Sequence, residues 1–236
     1  MTNIVSLYDE SGNAMRPWAE AGFNCYCYDI LNENRVEHVG RGVIHFVKAD
    51  LFEDSVVDEI VALKPSFVCG WPPCTDLAVS GAAWFAEKAR RNPNYRKEAM
   101  QLVMRVPEIA RACGTENWFF ENPVSVISSE FRKPDYVFHP FQYGGYLPQD
   151  DVHPRWPDYI EPRDRYRKKT CIWSGPGFIM PEKREVECPE GYSKQHRLLG
   201  GKSEKTKQIR SEGPRGFCIA VFLANSGRFV VIDDLL

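Results

Sequence analysis

The alternation of apolar and polar residues predicts strands and helices in turn over the first half of the chain. Short apolar runs predict five strands, at residues 4–8, 25–28, 43–47, 67–70 and 118–120. Amphipathic spacing between these runs predicts helices at residues 16–21, 56–63 and 94–113. Strands that alternate with helices are typical of an α/β protein with a doubly wound, mostly parallel, Rossmann-like sheet.

The second half of the chain has a different composition. Residues 131–163 contain six prolines and show little periodicity, which predicts an ordered but irregular excursion. We expect a strand to return at 170–173, a second irregular stretch to follow at 176–200, and an apolar helix or strand at 217–224. Three parts are therefore predicted: a cofactor-binding and catalytic α/β domain at 1–130, a small, irregular, basic substrate-recognition region at 131–205 that includes the strand 170–175, and a C-terminal segment at 206–236 that docks back on the first part.

Composition predicts a cytoplasmic globular protein. The 236 residues are 43% hydrophobic with a net charge of −2, and neither a transmembrane run nor a signal-peptide pattern is present. If the protein is viral, the host cytoplasm is the expected location. The eight cysteines include no Cys-x-x-Cys pair, so reduced thiols are expected and no metal site is predicted. No obligate protein partner is indicated, and a monomer is expected.

The charges are unevenly distributed along the chain. Residues 1–60 contain 11 acidic against 4 basic residues, whereas residues 194–215 contain 7 basic against 2 acidic ones. A further basic cluster consists of Arg163, Arg165, Arg167, Lys168 and Lys169. This asymmetry favours an acidic half that holds a neutral or cationic cofactor and a basic half that faces the phosphates of a nucleic acid.

Two of the predicted strands deliver reactive side chains at their C-terminal ends. Cys74 follows Pro72-Pro73 after the strand at 67–70, and Glu121 follows the strand at 118–120. Because ligands bind at the carboxyl edge of such a sheet, we expect the thiol and the carboxyl group to lie there together. A thiolate and a proton donor are the pair needed to add a nucleophile to a ring and protonate it.

Three other strand ends indicate a nucleoside cofactor. The loop Tyr8-Asp9-Glu10-Ser11-Gly12-Asn13 contains small residues that let a ligand approach the backbone, and it precedes a helix N-terminus. Asp29 ends the second strand, where a carboxylate can bind two ribose hydroxyls. Asp50 follows the third strand, where it can accept a hydrogen bond from an adenine amino group.

Taken in order, these motifs resemble those of the DNA cytosine-5 methyltransferase family, which uses S-adenosylmethionine. Trp71-Pro72-Pro73-Cys74-Thr75, followed by Ser80-Gly81, is similar to the family's Gly-Pro-Pro-Cys-Gln, and Glu121-Asn122-Pro123 is similar to its Glu-Asn-Val. Residues 8–13 are similar to Phe-Ser-Gly-x-Gly-Gly, 143–149 to Tyr-Gly-Val-Pro-Gln, 165–167 to Arg-x-Arg and 210–214 to Gly-Asn-Ser-Val-Pro. The resemblance covers most of the chain and implies an S-adenosylmethionine-dependent methyltransferase fold.

The resemblance also implies a mechanism on double-stranded DNA. Cys74 would add to C6 of a cytosine flipped out of the duplex while Glu121 neutralises charge at N3, and C5 would then take the methyl group and lose its proton as Cys74 leaves. Arg165 and Arg167 would clamp the base or adjacent phosphates. Cofactor contacts are implied for Tyr8, Asp9, Ser11, Gly12, Asn13, Asp29, Ile30, Asp50, Leu51, Pro72 and Ser211. Substrate contacts are implied for Pro73, Thr75, Ser80, Lys88, Arg90, Asn122 and Lys168.

The chain departs from the family pattern at three places. Glu10 stands where the family has its first glycine, and Thr75 stands where it has glutamine. The segment between the strand at 170–173 and the C-terminal motif is too short for the family's target-recognition domain. We predict that residues 144–163 and 176–200 form a minimal recognition surface with short or relaxed sequence specificity, as in a compact, phage-like member.

Alternatives to this function stay open at the level of sequence. The same chemistry could act on RNA or on a free cytosine nucleotide, although the basic C-terminal third disfavours the free nucleotide. A non-catalytic DNA-binding module on the same fold would need neither Cys74 nor Glu121. A thiol hydrolase would need a histidine near Cys74, and none of the five histidines has a suitable context.

Overall fold

The computed structural model describes residues 2–200 and 203–227, and its elements are as follows. Within these residues the strands are β1 (Asn3–Leu7), β2 (Asn24–Asp29), β3 (Arg35–Val39), β4 (Gly42–Lys48), β5 (Phe67–Gly70), β6 (Trp118–Pro123), β7 (Tyr136–Phe138) and β8 (Thr170–Ser174). The helices are α1 (Arg16–Glu20), α2 (Asp54–Ala62), α3 (Phe85–Arg91), α4 (Tyr95–Ala112), α5 (Ile127–Glu130), α6 (Lys194–Leu198), α7 (Glu204–Ser211) and α8 (Arg215–Asn225). Short 3₁₀ helices lie at Val79–Trp84, Pro140–Tyr146 and Pro162–Asp164.

The strands form one sheet in the order β3-β4-β2-β1-β5-β6-β8-β7. Neighbours from β4 to β6 pair in parallel, whereas β3 pairs antiparallel with β4 and β8 pairs antiparallel with β6. The prediction of a mixed α/β fold with a mostly parallel sheet is confirmed. The chain order of the parallel strands reverses between β1 and β5, which makes the carboxyl ends of these two strands the switch point of a doubly wound sheet.

Helices cover both faces of the sheet and fix the strand ends. Val68 of β5 belongs to an apolar core that also contains Val106 of α4, while on the other face Trp18 of α1 packs on Phe67 with ring centroids 5.2 Å apart. A Cβ added to Gly70 would lie 2.4 Å from a methyl group of Val106. Helix α4 therefore approaches the end of β5 as closely as only glycine allows.

The elements that the apolar pattern predicts are all present, and the structure adds elements that the pattern missed, among them β3, β7 and α7. The five predicted strands, the three predicted helices and the returning strand at 170–173 are confirmed, and residues 217–224 lie in a helix. The pattern missed β3 because this edge strand is largely exposed and carries Arg35, Glu37 and His38, which do not alternate with apolar residues. It missed α7 because that helix buries only Thr206 and Ile209.

The contacts divide the chain into two units, and the predicted three-part organisation stays a prediction. Unit one consists of Met1–Val137 and Thr170–Phe178, and unit two of Phe138–Lys169 and Ile179–Leu236. The strand at 170–174 belongs to unit one because it pairs with β6, from Phe119↔Ser174 to Pro123↔Thr170. The described part of the predicted third segment, 206–227, belongs to unit two, and its predicted docking on the catalytic part stays a prediction.

Unit two has its own core, which combines aromatic rings with buried charges. Phe138 stacks on Phe217 of α8 at 4.2 Å between ring centroids. Beside these rings, Arg215 pairs with the buried Asp151 at 2.7 Å, and the Gly216 N–H donates to the buried Asp164 at 2.9 Å. The second half of the chain is therefore ordered by a polar network that periodicity does not reveal.

No helix among residues 2–200 and 203–227 is long and apolar enough to cross a membrane.

Two buried groups in this core titrate with opposite effects on stability. Burial raises the pKa of Asp164 to about 6, and burial lowers the pKa of His153 to about 4. Protonation of Asp164 stabilises the folded state at low pH, and this contribution is lost as the pH rises from about 4 to 6. Neutral His153 contributes stability above about pH 6.5, and this contribution is lost as the pH falls toward 4.

We expect the Asp164→Asn variant to lose more stability on acidification than the parent protein. The asparagine keeps an oxygen for the Gly216 N–H but cannot take up a proton. The variant therefore lacks the stability that protonation of Asp164 adds on acidification, which partly offsets the loss at His153. Its unfolding free energy should fall by about 2–3 kcal/mol more than the parent's between pH 6 and pH 4. Urea unfolding at several pH values measures this difference. Asp150→Asn, at an exposed aspartate, should show the parent profile. If the unfolding free energies of the parent and Asp164→Asn fall in parallel with decreasing pH, the pKa of Asp164 is not raised in the folded state.

Candidate active site

The loop after β1 is organised around a buried carboxylate. Asp9 accepts hydrogen bonds from the Gly12 N–H at 2.7 Å, the Ser11 hydroxyl at 3.2 Å and the Ser6 hydroxyl at 2.8 Å. The Trp71 indole N–H donates to Ser6 at 3.1 Å, so the same network reaches the residue that follows β5. Asp9 is 4% exposed and shapes the loop from within, and its predicted cofactor contact stays a prediction.

The backbone of this loop is unusual at both ends. Tyr8 has a φ of 59°, its N–H donates to the Tyr28 carbonyl at 2.7 Å, and its hydroxyl donates to the Leu102 carbonyl at 2.8 Å. Burial raises the pKa of Tyr8, so the phenol stays protonated as this donor. Gly12 has a φ of 68°, and a Cβ there would lie 2.6 Å from Phe46. Both the left-handed backbone and the close approach require glycine at position 12. Asn13, half-buried, donates its N–H to the Ser11 hydroxyl at 3.2 Å.

Asn32 holds neighbouring strand ends together, and sequence reasoning missed it. Its side-chain amide lies 2.9 Å from the Cys27 carbonyl and 3.3 Å from both the Asp9 and the Val47 carbonyls. The residue is 1% exposed, so these contacts connect the ends of β1, β2 and β4 inside the protein. An asparagine in a polar loop gives no sequence signal of such a role.

Asp29 and Asp50 lie at the ends of β2 and β4, as predicted. Asp29 is half-buried and accepts the Leu31 N–H at 2.8 Å; burial raises its pKa, and this hydrogen bond opposes the rise. Ile30 beside it is 59% exposed and offers an apolar surface. Asp50 is exposed and accepts the Phe52 N–H at 2.9 Å, whereas the Leu51 side chain lies in the core.

Hydrogen bonds join the turn that carries Cys74 to β6, the strand that carries Glu121, and to the loop after it. They lie both before and after Cys74 in the chain. Before Cys74, the buried side chain of Asn122 donates to the Pro72 carbonyl at 2.9 Å. After it, Ala78 and Ser125 form an antiparallel bridge, flanked by the Val79 N–H to Val124 carbonyl and Val126 N–H to Leu77 carbonyl bonds, each 3.0 Å. The loop after β5 and the loop after β6 are therefore one hydrogen-bonded assembly, with Cys74 half-buried within it.

The Cys74 turn also receives a cation. The Lys88 ammonium of α3 lies 2.7 Å from the Thr75 carbonyl and 2.7 Å from Asp76. Lys88 was predicted to contact the substrate; here its ammonium contacts the two residues that follow Cys74, and the substrate contact stays a prediction. Arg90 on the same helix is exposed and pairs with Glu87 at 3.2 Å. Pro73, Thr75 and Ser80 are exposed around the turn.

We expect the Asn122→Ala variant to lose about 1–3 kcal/mol of unfolding free energy, because it leaves the buried Pro72 carbonyl without a donor. Denaturant unfolding measures this loss. Asn117→Ala is the matched control: Asn117 also donates to a carbonyl, that of Ser66 at 3.2 Å, but it is exposed and should cost less than about 0.5 kcal/mol. Equal costs would show that Asn122 has no special role.

The remaining predicted residues lie in unit two. Arg165 is half-buried, and Arg167 is exposed with its guanidinium 5.2 Å from the centroid of the Phe141 ring. Lys168 donates to the Arg210 carbonyl at 3.0 Å, and the Ser211 hydroxyl donates to the Gln208 carbonyl at 3.0 Å. Ser211 ends α7, so its side chain completes a helix terminus, and its predicted cofactor contact stays a prediction.

This geometry defines a doubly wound α/β protein with a half-buried thiol and a carboxyl-bearing strand joined at one sheet edge. The chain matches no protein-family model and no curated protein. Among solved structures, it is similar to an E. coli protein described as a candidate DNA modification methyltransferase encoded within a prophage, with 12% sequence identity and a TM-score of 0.44. The match covers 73% of this chain and 45% of that one, so it spans less than half of the E. coli protein.

Proposed function

We propose that this protein transfers a methyl group from S-adenosylmethionine to C5 of cytosine in DNA, with Cys74 as the covalent nucleophile. The observation that carries the proposal is the attachment of the Cys74 turn to the Glu121 strand at the carboxyl edge beside the switch point. Because hydrogen bonds restrain the turn both before and after Cys74, the thiol is held in a fixed relation to this strand. A nucleophile and an acid restrained in this way suit addition to one ring.

The same edge fits a nucleoside cofactor. The Asp9–Gly12 hydrogen bond shapes a loop that leads into α1, the half-buried Asp29 offers a carboxylate to ribose hydroxyls, and Ile30 offers an exposed apolar surface to a base. Asp50 at the next strand end is exposed and suited to an amino group. S-adenosylmethionine, when bound, would supply the methyl group. The three strand ends are adjacent in the sheet, which supports their use by one ligand.

The residues of this chain would activate the cytosine and then release it. The Cys74 thiolate adds to C6, and Glu121 holds a proton at N3, so the electron pair of the C5–C6 bond becomes available at C5 for the methyl group. Removal of the proton from C5 then restores the double bond as the Cys74–C6 bond breaks. Arg165 and Arg167 supply positive charge for the base oxygen or flanking phosphates. The base reaches Cys74 only after leaving the duplex.

We expect the Glu121→Gln variant to slow methyl transfer by about 10²–10⁴-fold, the range over which a general acid contributes. Binding of S-adenosylmethionine, measured by calorimetry, should not change, because the glutamine keeps the size of the side chain. The control is Glu116→Gln, an exposed glutamate that precedes β6 and so lies at the opposite edge of the sheet. A rate for Glu121→Gln that equals the control's would remove Glu121 from the mechanism.

The substrate is assigned by offering several acceptors in parallel. The protein is incubated with labelled S-adenosylmethionine and mixed-sequence duplex DNA, transfer RNA or dCMP, and the product nucleoside is identified by chromatography. Label in 5-methylcytosine of DNA supports the proposal. Label in 5-methylcytosine of RNA or of the nucleotide would support transfer to C5 of cytosine and contradict DNA as the substrate. Absence of label from all acceptors, with DNA binding retained, would support the non-catalytic module instead.

A further inference from the structure

Unit two contains a cavity of about 630 Å³, which is within the size range of small-molecule sites. The loop that follows Glu161 forms one side of it, and the segment from Pro189 into α6 forms the other. Four basic side chains line it, those of Arg165, Arg167, Lys194 and Arg197. Only two acidic residues, Glu161 and Glu190, lie among the lining residues, so the cavity is rich in positive charge.

These four cations have no carboxylate partners among the described residues. The ion pairs within 4 Å in 2–200 and 203–227 include none of the four. Lys194 instead donates to the Pro157 carbonyl at 3.4 Å, and Arg167 lies over the Phe141 ring. Four cations around one concavity outnumber the two lining carboxylates and repel each other, and a ligand with a phosphate group relieves this repulsion.

Two buried polar atoms of the cavity's own residues also lack partners. Glu161 is 8% exposed; one carboxylate oxygen accepts the Lys194 N–H at 2.6 Å, and the other accepts no hydrogen bond. The Nε of Arg165 is buried and likewise makes no hydrogen bond. Buried polar groups are nearly always paired in folded proteins. Because neither atom is accessible to solvent, neither is offered to a ligand in the open cavity, and the exposed cations must supply the contacts.

An exposed aromatic ring stands at the same cavity. Tyr192 is 72% exposed, and one face of its ring stacks on His196 with centroids 4.2 Å apart. Stacking on aromatic side chains is the general way in which proteins hold unpaired bases. A base inside a duplex has its faces covered by its neighbours and cannot stack in this way.

From this combination we propose that the cavity of unit two binds one unpaired nucleotide of the substrate strand, with its phosphate among Arg165, Arg167, Lys194 and Arg197 and its base on Tyr192. The inference rests on the proposed function and deepens it, because it assigns recognition of an unpaired nucleotide to the region predicted to form a minimal recognition surface. A duplex with an extruded base would present such a nucleotide, as would a single strand.

Direct binding to the full chain tests the proposal. The Cys74→Ala protein is titrated, without S-adenosylmethionine, with the four deoxynucleoside monophosphates, the matching deoxynucleosides, inorganic phosphate, and an oligonucleotide as a single strand and as a duplex. We expect at least one monophosphate to bind at least about 10-fold tighter than inorganic phosphate and than its own deoxynucleoside. The single strand should bind tighter than the duplex. The assay neither needs nor reports methyl transfer, so its outcome is independent of the test of the proposed function.

Matched variants locate the binding. Arg197→Gln should weaken monophosphate binding by about 5–10-fold. For the single-stranded oligonucleotide, it should lower the slope of log affinity against log salt by about 0.7. Tyr192→Leu should weaken monophosphate binding and leave inorganic phosphate unaffected. Arg184→Gln removes an exposed arginine of unit two that does not line the cavity and should change affinity by less than about 2-fold. Equal loss in Arg197→Gln and Arg184→Gln, equal binding of duplex and single strand, or inorganic phosphate bound as tightly as every nucleotide would each overturn the proposal.

Discussion

We expect the Cys74→Ala variant to lose methyl transfer to cytosine by at least about 10⁴-fold, the scale on which removal of a covalent nucleophile acts in other enzymes. Without a thiolate at C6, C5 of cytosine is too poor a nucleophile to take a methyl group. Initial rates of label transfer to mixed-sequence duplex DNA measure the loss. The fold should be largely unaffected, because Cys74 is half-buried and its turn is held by backbone hydrogen bonds and by the side chains of Asn122 and Lys88.

A second cysteine in unit one provides the control. Cys113 is also half-buried, but it follows α4 at the edge of the sheet opposite the strand ends that carry the site. Cys113→Ala should therefore transfer methyl groups at the parent rate. If Cys74→Ala keeps more than about a tenth of the parent rate while Cys113→Ala behaves like the parent, covalent catalysis by Cys74 is excluded, since a missing nucleophile costs far more.

The Gly12→Ala variant should lose both stability and cofactor binding. An L side chain at a φ of 68° costs about 1–2 kcal/mol, and a Cβ placed 2.6 Å from Phe46 must move that buried ring at a cost of about 1–3 kcal/mol more. The same displacement would disturb the Gly12 N–H bond to Asp9 and with it the loop that faces the proposed cofactor. Denaturant unfolding and calorimetric titration with S-adenosylmethionine measure the two losses.

Gly114→Ala separates the backbone effect from the steric one. Gly114 has a φ of 70°, almost the same as Gly12, but a Cβ there meets nothing within 4 Å. It should therefore show only the backbone cost of about 1–2 kcal/mol and bind S-adenosylmethionine as the parent does. Similar losses of stability in the two variants, with binding intact in both, would show that the contact with Phe46 does not shape the cofactor loop.

Much of unit one could be predicted from the sequence, because apolar runs indicate the strands and the polar residues that follow these runs indicate the strand ends. The runs around Val5, Cys27 and Val68 are buried on both faces of a parallel sheet, and such strands appear as continuous apolar segments. Parallel pairing of these strands then follows from their alternation with helices, whereas their order in the sheet was not predicted. Edge strand β3 was missed since an exposed edge lacks that signal.

The finer construction of the candidate site could not be predicted, because it depends on which polar atoms become buried. Asp9 and Asn122 have the residue types expected of ligand contacts, yet the structure uses both side chains internally. Nothing in the sequence distinguishes a carboxylate that faces a ligand from one that supports the loop behind it. Asn32 and Lys88 show the converse, since their contacts at the site were not indicated by spacing.

Unit two was the least predictable part because long-range polar contacts hold it together. The pairing of Asp151 with Arg215 and the hydrogen bond from Gly216 to Asp164 join residues more than 50 positions apart. No local period reports such contacts. The composition of residues 131–205 indicated an irregular, basic region, but it gave no indication of a cavity lined by cations.

The most direct test of the central claim is covalent trapping on DNA that contains 5-fluorocytosine. Fluorine at C5 cannot leave as a proton does, so the Cys74–C6 bond should persist after the methyl group has been added. We predict that, with S-adenosylmethionine present, mass spectrometry finds one DNA adduct per chain, on the peptide that contains Cys74, and none for Cys74→Ala. Methyl transfer to ordinary cytosine without such an adduct, or an adduct on another cysteine, would contradict the account.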